Sequence, residues 1–232
     1  FQTVRRWRVC EWLTIPRDTA SLIRAREVAF EKGATLFQRH EWLSIGQNGK
    51  LYIAETGNAE YDWSNRVEQG CKPSKHYLDN FHKGNNVFSD LHGRILEFDP
   101  ATNKMRSYVE GGLDSTGVKI FSNPDCAEIQ NFNGVDYLVI SEDIDWYDLG
   151  RVPAHVETAK RFVNEVYFLP MNVENPTVND LLRFAVGPKG SETTGTYFTP
   201  DGKTMFLNIQ HPQTTNRRPF NRSCTVAITG FK

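Results

Sequence analysis

The sequence predicts an all-β fold of the β-propeller kind, with one helix near its start. Three observations predict it. Short runs of alternating apolar residues recur along the chain and are split by Asn-Gly, Asp-Gly and Asp-Pro turns. Only one segment carries helical spacing together with start and stop signals. At 232 residues and 39% apolar content, the chain can bury a sizeable core.

The helix runs from Asp18 to Lys32. Asp18 caps it, Leu22, Ile23, Ala25, Ala29 and Phe30 share one face, and Gly33 stops it. The hairpins follow in order. Trp42 to Ile45 and Lys50 to Ala54 flank Gln47-Asn48-Gly49, and Arg94 to Phe98 and Met105 to Val109 flank Asp99-Pro100-Ala101-Thr102-Asn103. Ala127 to Gln130 and Tyr137 to Ile140 flank Asn133-Gly134, and Tyr197-Phe198 and Met205 to Ile209 flank Pro200-Asp201-Gly202. A four-stranded blade takes ~40–45 residues, so the length predicts about four to five blades. Two stretches break the pattern: residues 56–90, read as a long polar inserted loop, and residues 145–153.

Composition removes several classes of function. The 27 basic and 28 acidic residues give a net charge of −1 and form no basic tract, which excludes nucleic acid as a partner. No apolar run approaches the ~18 residues of a membrane span. Cys10, Cys71, Cys126 and Cys224 contain no Cys-x-x-Cys pair, which argues against structural zinc. Two disulfides in any of three pairings, or simple buried thiols, both remain open.

Two segments are specific enough to indicate a family. Gly187-Pro188-Lys189-Gly190-Ser191-Glu192 leads through Thr193-Thr194-Gly195 to Phe198-Thr199-Pro200-Asp201-Gly202, and the next strand closes on Gln210-His211-Pro212. This run resembles the C-terminal signature of the PhoX-type alkaline phosphatases. Gly33-Ala34-Thr35, ending in Arg39-His40-Glu41-Trp42, is similar to the family's Gly-Ala-Thr segment ending in Arg-Pro-Glu-Trp, with His40 in place of proline. A third match is Asn123-Pro124-Asp125, followed by a strand ending at Glu142-Asp143.

The resemblance implies an exported enzyme, secreted, periplasmic or extracellular, that hydrolyses phosphate monoesters with calcium and iron on a six-bladed propeller. Residues 1–232 then form the C-terminal part of a single propeller domain, which an N-terminal part or a second chain completes. A different class of function stands beside it: a non-catalytic, calcium-stabilised extracellular propeller acting as a binding or assembly subunit.

The resemblance also nominates site residues. Glu41 and Glu192 stand where the family ligates metal. Glu142, Asp143 and Asp125 are further candidates at strand ends, which line a propeller's channel. Adjacent carboxylates on an extended chain point to opposite faces, so one of Glu142 and Asp143 faces the channel. Calcium takes six to eight hard oxygen ligands, and carboxylates crowded without a cation raise one another's pKa. The expectation is collective: Glu41, Glu192 and one of Glu142 or Asp143 converge. Lys189 is a candidate contact to substrate phosphate, and His211 a candidate donor or support beside it. The family's ferric iron is held partly by cysteine near an Asn-His-Glu segment, which is not recognisable in this chain, and the catalytic residues remain unassigned.

Overall fold

The computed structural model describes residues 6–57, 72–73, 82–83, 86–87, 92–113, 119–144 and 163–231. Most of the 56–90 stretch and all of 145–153 lie outside those residues, as does Cys71.

Turn chemistry and alternation produce three antiparallel sheets. Sheet I contains β1 (Arg8–Val9), β2 (His40–Ile45), β3 (Leu51–Glu55), β4 (Arg94–Asp99) and β5 (Lys104–Glu110), in the order β1-β5-β4-β3-β2. Sheet II is a meander of β6 (Pro124–Phe132), β7 (Val135–Glu142), β8 (Glu165–Pro170) and β9 (Leu182–Val186). Sheet III joins β10 (Glu192–Phe198), β11 (Thr204–Gln210) and β12 (Cys224–Thr229), also as a meander. Three two-stranded pairs complete the described strands: Thr35–Leu36 with Lys72–Pro73, His82–Lys83 with Asn86–Val87, and Gly112–Leu113 with Lys119–Phe121.

The described residues thus hold three blade-sized sheets, where the length of the chain implies four to five. The reason lies in the connections. The two hairpins before residue 110 are halves of one sheet, joined across the long segment 56–93. The Asn133-Gly134 hairpin gains β8 and β9 only after residues 143–164.

Sheet II has two apolar faces, and period-two alternation divides them. Leu138, Ile140, Tyr167, Leu169 and Ala127 join Tyr52, Ala54, Ile95 and Val109 of sheet I in one core. Val139, Val166 and Phe168 join Phe198, Met205, Leu207 and Ile209 of sheet III in a second. Face-to-face stacking of successive meanders is the packing of neighbouring propeller blades. The opening strands of the three meanders, β2, β6 and β10, stand in sequence, with β6 touching both others.

The predicted helix is present as two segments, α1 (Thr19–Ile23) and α2 (Ala25–Glu31), with a break at Arg24. Asp18 caps it by accepting the Ser21 N–H at 2.9 Å, and Gly33 follows at φ +78°. Its expected apolar face is only partly used. Phe30, on α2, is buried, whereas Leu22 and Ile23, on α1, are exposed. Among the described residues no helix is long and apolar enough to cross a membrane. Cys10, Cys126 and Cys224 are free thiols.

Candidate functional site

The same short device opens the first meander strand of each sheet, β2, β6 and β10. A residue with left-handed backbone comes first: Arg39 at φ 56°, Asn123 at 45° and Gly190 at 71°. Two positions later stands an acid: Glu41, Asp125 and Glu192 respectively. Asparagine and glycine accept that backbone readily, and arginine does so rarely. The second strand then fastens the device from behind. The Thr56 N–H donates to the Arg39 carbonyl at 2.9 Å, and the Asp143 N–H donates to the Asn123 carbonyl at 2.8 Å. One residue further along, Gly57 N–H donates to the Gln38 carbonyl and Gln213 N–H to the Lys189 carbonyl, each at 3.1 Å.

A buried glutamate fixes the first two copies. Glu55 accepts the Gln38 N–H at 2.7 Å and the Arg94 Nε at 2.6 Å. In sheet II, Glu142 accepts the Ser122 N–H at 2.8 Å and the Glu165 N–H at 3.0 Å. Sheet III has no acid there. Its β10 is tied to sheet II by the Thr193 hydroxyl, which donates to the Glu142 carbonyl at 3.2 Å.

This settles the placement of the adjacent pair. Glu142 is fully buried and binds backbone, while Asp143 turns to the opposite side. The Arg39 guanidinium meets the Asp143 carboxylate at 2.7 Å and the Glu41 carboxylate at 3.4 Å. Asp125 accepts the Thr194 hydroxyl, and Glu192 accepts the Gln210 side-chain amide at 2.9 Å. Glu192 and Thr194 share one face of β10, so a single strand supplies an acid and the hydroxyl that steadies its neighbour.

Four carboxylates therefore share one electrostatic neighbourhood with one guanidinium. Burial pushes the Glu192 carboxyl up to about 7, the charges of Asp143 and Asp125 add to the rise, and Arg39 opposes it. Burial likewise raises Asp125, against the lowering bond from Thr194, with Asp143 and Glu41 adding to the rise. Among the described residues, neither acid has an ion pair of its own. Among the described residues, no three His, Cys, Asp or Glu side chains close on one point as a metal-holding group.

The donor set suits a hard cation nonetheless. Carboxylates and a hydroxyl are calcium's preferred ligand types, and a divalent ion would relieve the repulsion that raises Glu192. Iron lacks a thiolate donor in this group. Cys126 is fully buried, and burial drives its thiol up to about 12.

The other candidates lie at the rim. Lys189 is half-buried in the turn before β10, where its carbonyl also accepts the Asn216 side-chain amide at 2.8 Å. His211 is exposed at φ 50°, and its backbone N–H donates to the Ser223 hydroxyl at 3.1 Å. Arg39, Thr194 and Gln210 were not singled out by sequence reading. The signal for Arg39 was present: Gln38 to Trp42, Ser122 to Cys126 and Lys189 to Thr193 align as one repeated pentad with its acid in fourth place.

These features define a class: an all-β, propeller-like protein whose inner strands bring acids from separate sheets together. The chain matches the family described as Alkaline phosphatase PhoX over residues 5–213, and it belongs to that family. Comparison with curated proteins gave no match. Among solved structures, it is similar to Pseudomonas fluorescens PhoX in complex with vanadate, a transition state analogue. The TM-score is 0.60 at 24% identity, over 92% of this chain and 37% of that one. At that identity the likeness concerns the fold, and this chain spans little more than a third of the other's length.

Proposed function

We propose that this chain carries the acidic half of a metal-dependent phosphomonoester hydrolase of the PhoX type, acting outside the cytoplasm with the rest of its propeller. The observation that supports this most is the gathering of Glu41, Asp125, Asp143 and Glu192 around Arg39, in a chain of this family. Calcium is the cation these oxygens suit, and when bound it would polarise phosphoryl oxygens and offset developing charge.

The chain's own residues have distinct parts in this reading. Arg39 presents a planar guanidinium that can donate two N–H groups to a phosphate, while its bonds to Asp143 and Glu41 fix its direction. Thr194 and Gln210 hold Asp125 and Glu192 in place. Lys189 offers a second positive charge from the turn, and His211 a further donor at the exit of β11. Iron belongs to the same reading with no donors assigned in this chain.

A second reading has one observation in its favour. The Asn-His-Glu segment beside the family's iron is not recognisable in the sequence, as suits a non-catalytic, calcium-stabilised extracellular propeller acting as a binding or assembly subunit. Calcium binding and p-nitrophenyl phosphate turnover, measured on the same purified protein, separate the two. Turnover abolished by chelation and restored by calcium supports the phosphatase. Calcium binding without turnover supports the binding subunit.

A further inference from the structure

In sheet III the connection from His211 to Ser223 joins β11 to β12. It leaves from the end where Glu192 opens β10, because Glu192 pairs with Gln210 at the end of β11. The opposite end of the same hairpin carries the tight turn Pro200-Asp201-Gly202-Lys203.

Backbone turns shape this loop. The Asn216 N–H donates to the Gln213 carbonyl at 3.0 Å, and the Phe220 N–H donates to the Arg217 carbonyl at 2.9 Å. One atom fastens the loop to the turn that precedes Glu192. The Lys189 carbonyl accepts both the Gln213 N–H, at 3.1 Å, and the Asn216 side-chain amide, at 2.8 Å. Arg217 follows Asn216 directly, so the loop's first arginine is held beside the chain that delivers Glu192.

Charge sets the loop apart. It contains Arg217, Arg218 and Arg222 and no acid. All three are exposed, and among the described residues none takes part in an ion pair. Arg39, Arg94, Arg106 and Arg183 each meet a carboxylate. The four acids at the neighbouring strand ends do not use the loop's charges. Asp143 and Glu41 meet Arg39, Asp125 accepts the Thr194 hydroxyl, and Glu192 accepts the Gln210 amide. Three guanidinium groups are therefore left for an anion.

A guanidinium matches phosphate through two parallel N–H groups, and several cations on one rim draw anions toward it. The ester phosphate that reacts already has Arg39 and the acid-bound cation. A loop set off from Glu192 by the turn at Lys189 suits a second anionic group on the same substrate.

We infer that Arg217, Arg218 and Arg222 form a subsite for a second phosphate, which makes bisphosphates of sugars and small alcohols the preferred substrates. The inference rests on the phosphatase reading above and names the substrate class of that site.

Initial rates of phosphate release from fructose 1,6-bisphosphate, fructose 6-phosphate and p-nitrophenyl phosphate test it. The native protein shows kcat/KM about tenfold higher for the bisphosphate than for the monophosphate, more than a second ester alone supplies. The difference lies in KM, since the second phosphate is bound equally before and during reaction. Arg217→Gln, Arg218→Gln and Arg222→Gln combined abolish the preference and leave p-nitrophenyl phosphate turnover unchanged. Lysine at the same three positions keeps part of the preference. Lys203→Gln, at the other end of the hairpin, keeps all of it. Equal kcat/KM for the two sugar phosphates in the native protein overturns this inference alone. So does a preference that survives the triple glutamine variant. Parallel loss of p-nitrophenyl phosphate turnover in that variant also overturns it, by making the loop structural. A native protein that turns over none of the three esters overturns the phosphatase reading and this inference with it.

Discussion

The Arg39 guanidinium stands 2.7 Å from the Asp143 carboxylate, joining residues 104 positions apart on the first two sheets. Arg39 holds left-handed backbone where the equivalent positions carry asparagine and glycine. From there its side chain reaches both Asp143 and Glu41. It is the cation that these acids share, and its loss would leave four carboxylates facing one another.

Replacing Arg39 by alanine is therefore expected to reduce p-nitrophenyl phosphate turnover by about 100-fold, the usual cost of removing one charge-stabilising donor. Stability should change by less than about 1 kcal/mol, since the pair is partly exposed and screened. Arg39→Lys should recover little activity, because an ammonium cannot span two acceptors in a plane. Full activity in Arg39→Ala would remove this residue from the site.

Glu192 sets a pH dependence with a definite sign. Its folded pKa, about 7, lies above the ordinary 4.5, so the folded state holds the proton more tightly than the unfolded one. The stability this contributes is complete below about pH 4.5 and is lost as pH rises to about 7. Asp125 is displaced in the same direction. Melting temperatures in EDTA should fall across that window, and calcium should restore them most above pH 7. Glu192→Gln should flatten the EDTA curve. A melting temperature that rises through the window would contradict the assignment.

The adjacent acids Glu142 and Asp143 should separate cleanly. Glu142→Ala strands the buried N–H groups of Ser122 and Glu165, at a cost of about 3 kcal/mol. Asp143→Ala should leave stability nearly unchanged and weaken calcium binding. Denaturant unfolding and calorimetric titration of both proteins check this, and equal loss of stability would show that both acids are structural.

The turn before Glu192 is testable through glycine. Gly190 and Gly49 both have positive φ, at 71° and 74°. A methyl group at Gly49 meets nothing within 4 Å, whereas one at Gly190 would lie 2.5 Å from Gln213 Cγ. Gly49→Ala should cost about 1 kcal/mol of backbone strain alone. Gly190→Ala should cost more and also weaken calcium binding about tenfold by shifting Glu192. Identical behaviour of the two would dissociate the turn from the site.

The sequence made the hairpins, the Asp18 cap and the acids at strand starts legible, because turn chemistry and alternation act over a few residues. It showed that only one of Glu142 and Asp143 could face inward, and strand parity alone was enough for that. It did not show which one, since the answer depends on Ser122 and Glu165 arriving from other strands. β8 and β9 escaped notice for a related reason. Glu165 to Pro170 is buried on both faces and so lacks alternation, and Leu182 to Val186 lies at an edge with both its polar and apolar residues largely exposed. Arg39 was hidden because its partners lie on other strands, and only comparison of the three pentads brings it out.

The most direct test of the account is a calcium titration of the purified protein by calorimetry, with phosphatase turnover followed on the same sample and on Glu192→Gln. The account predicts saturable binding in the native protein, turnover that disappears in EDTA and returns with calcium, and at least tenfold weaker binding in Glu192→Gln. No calcium binding to the native protein, or binding unchanged in Glu192→Gln, would contradict it.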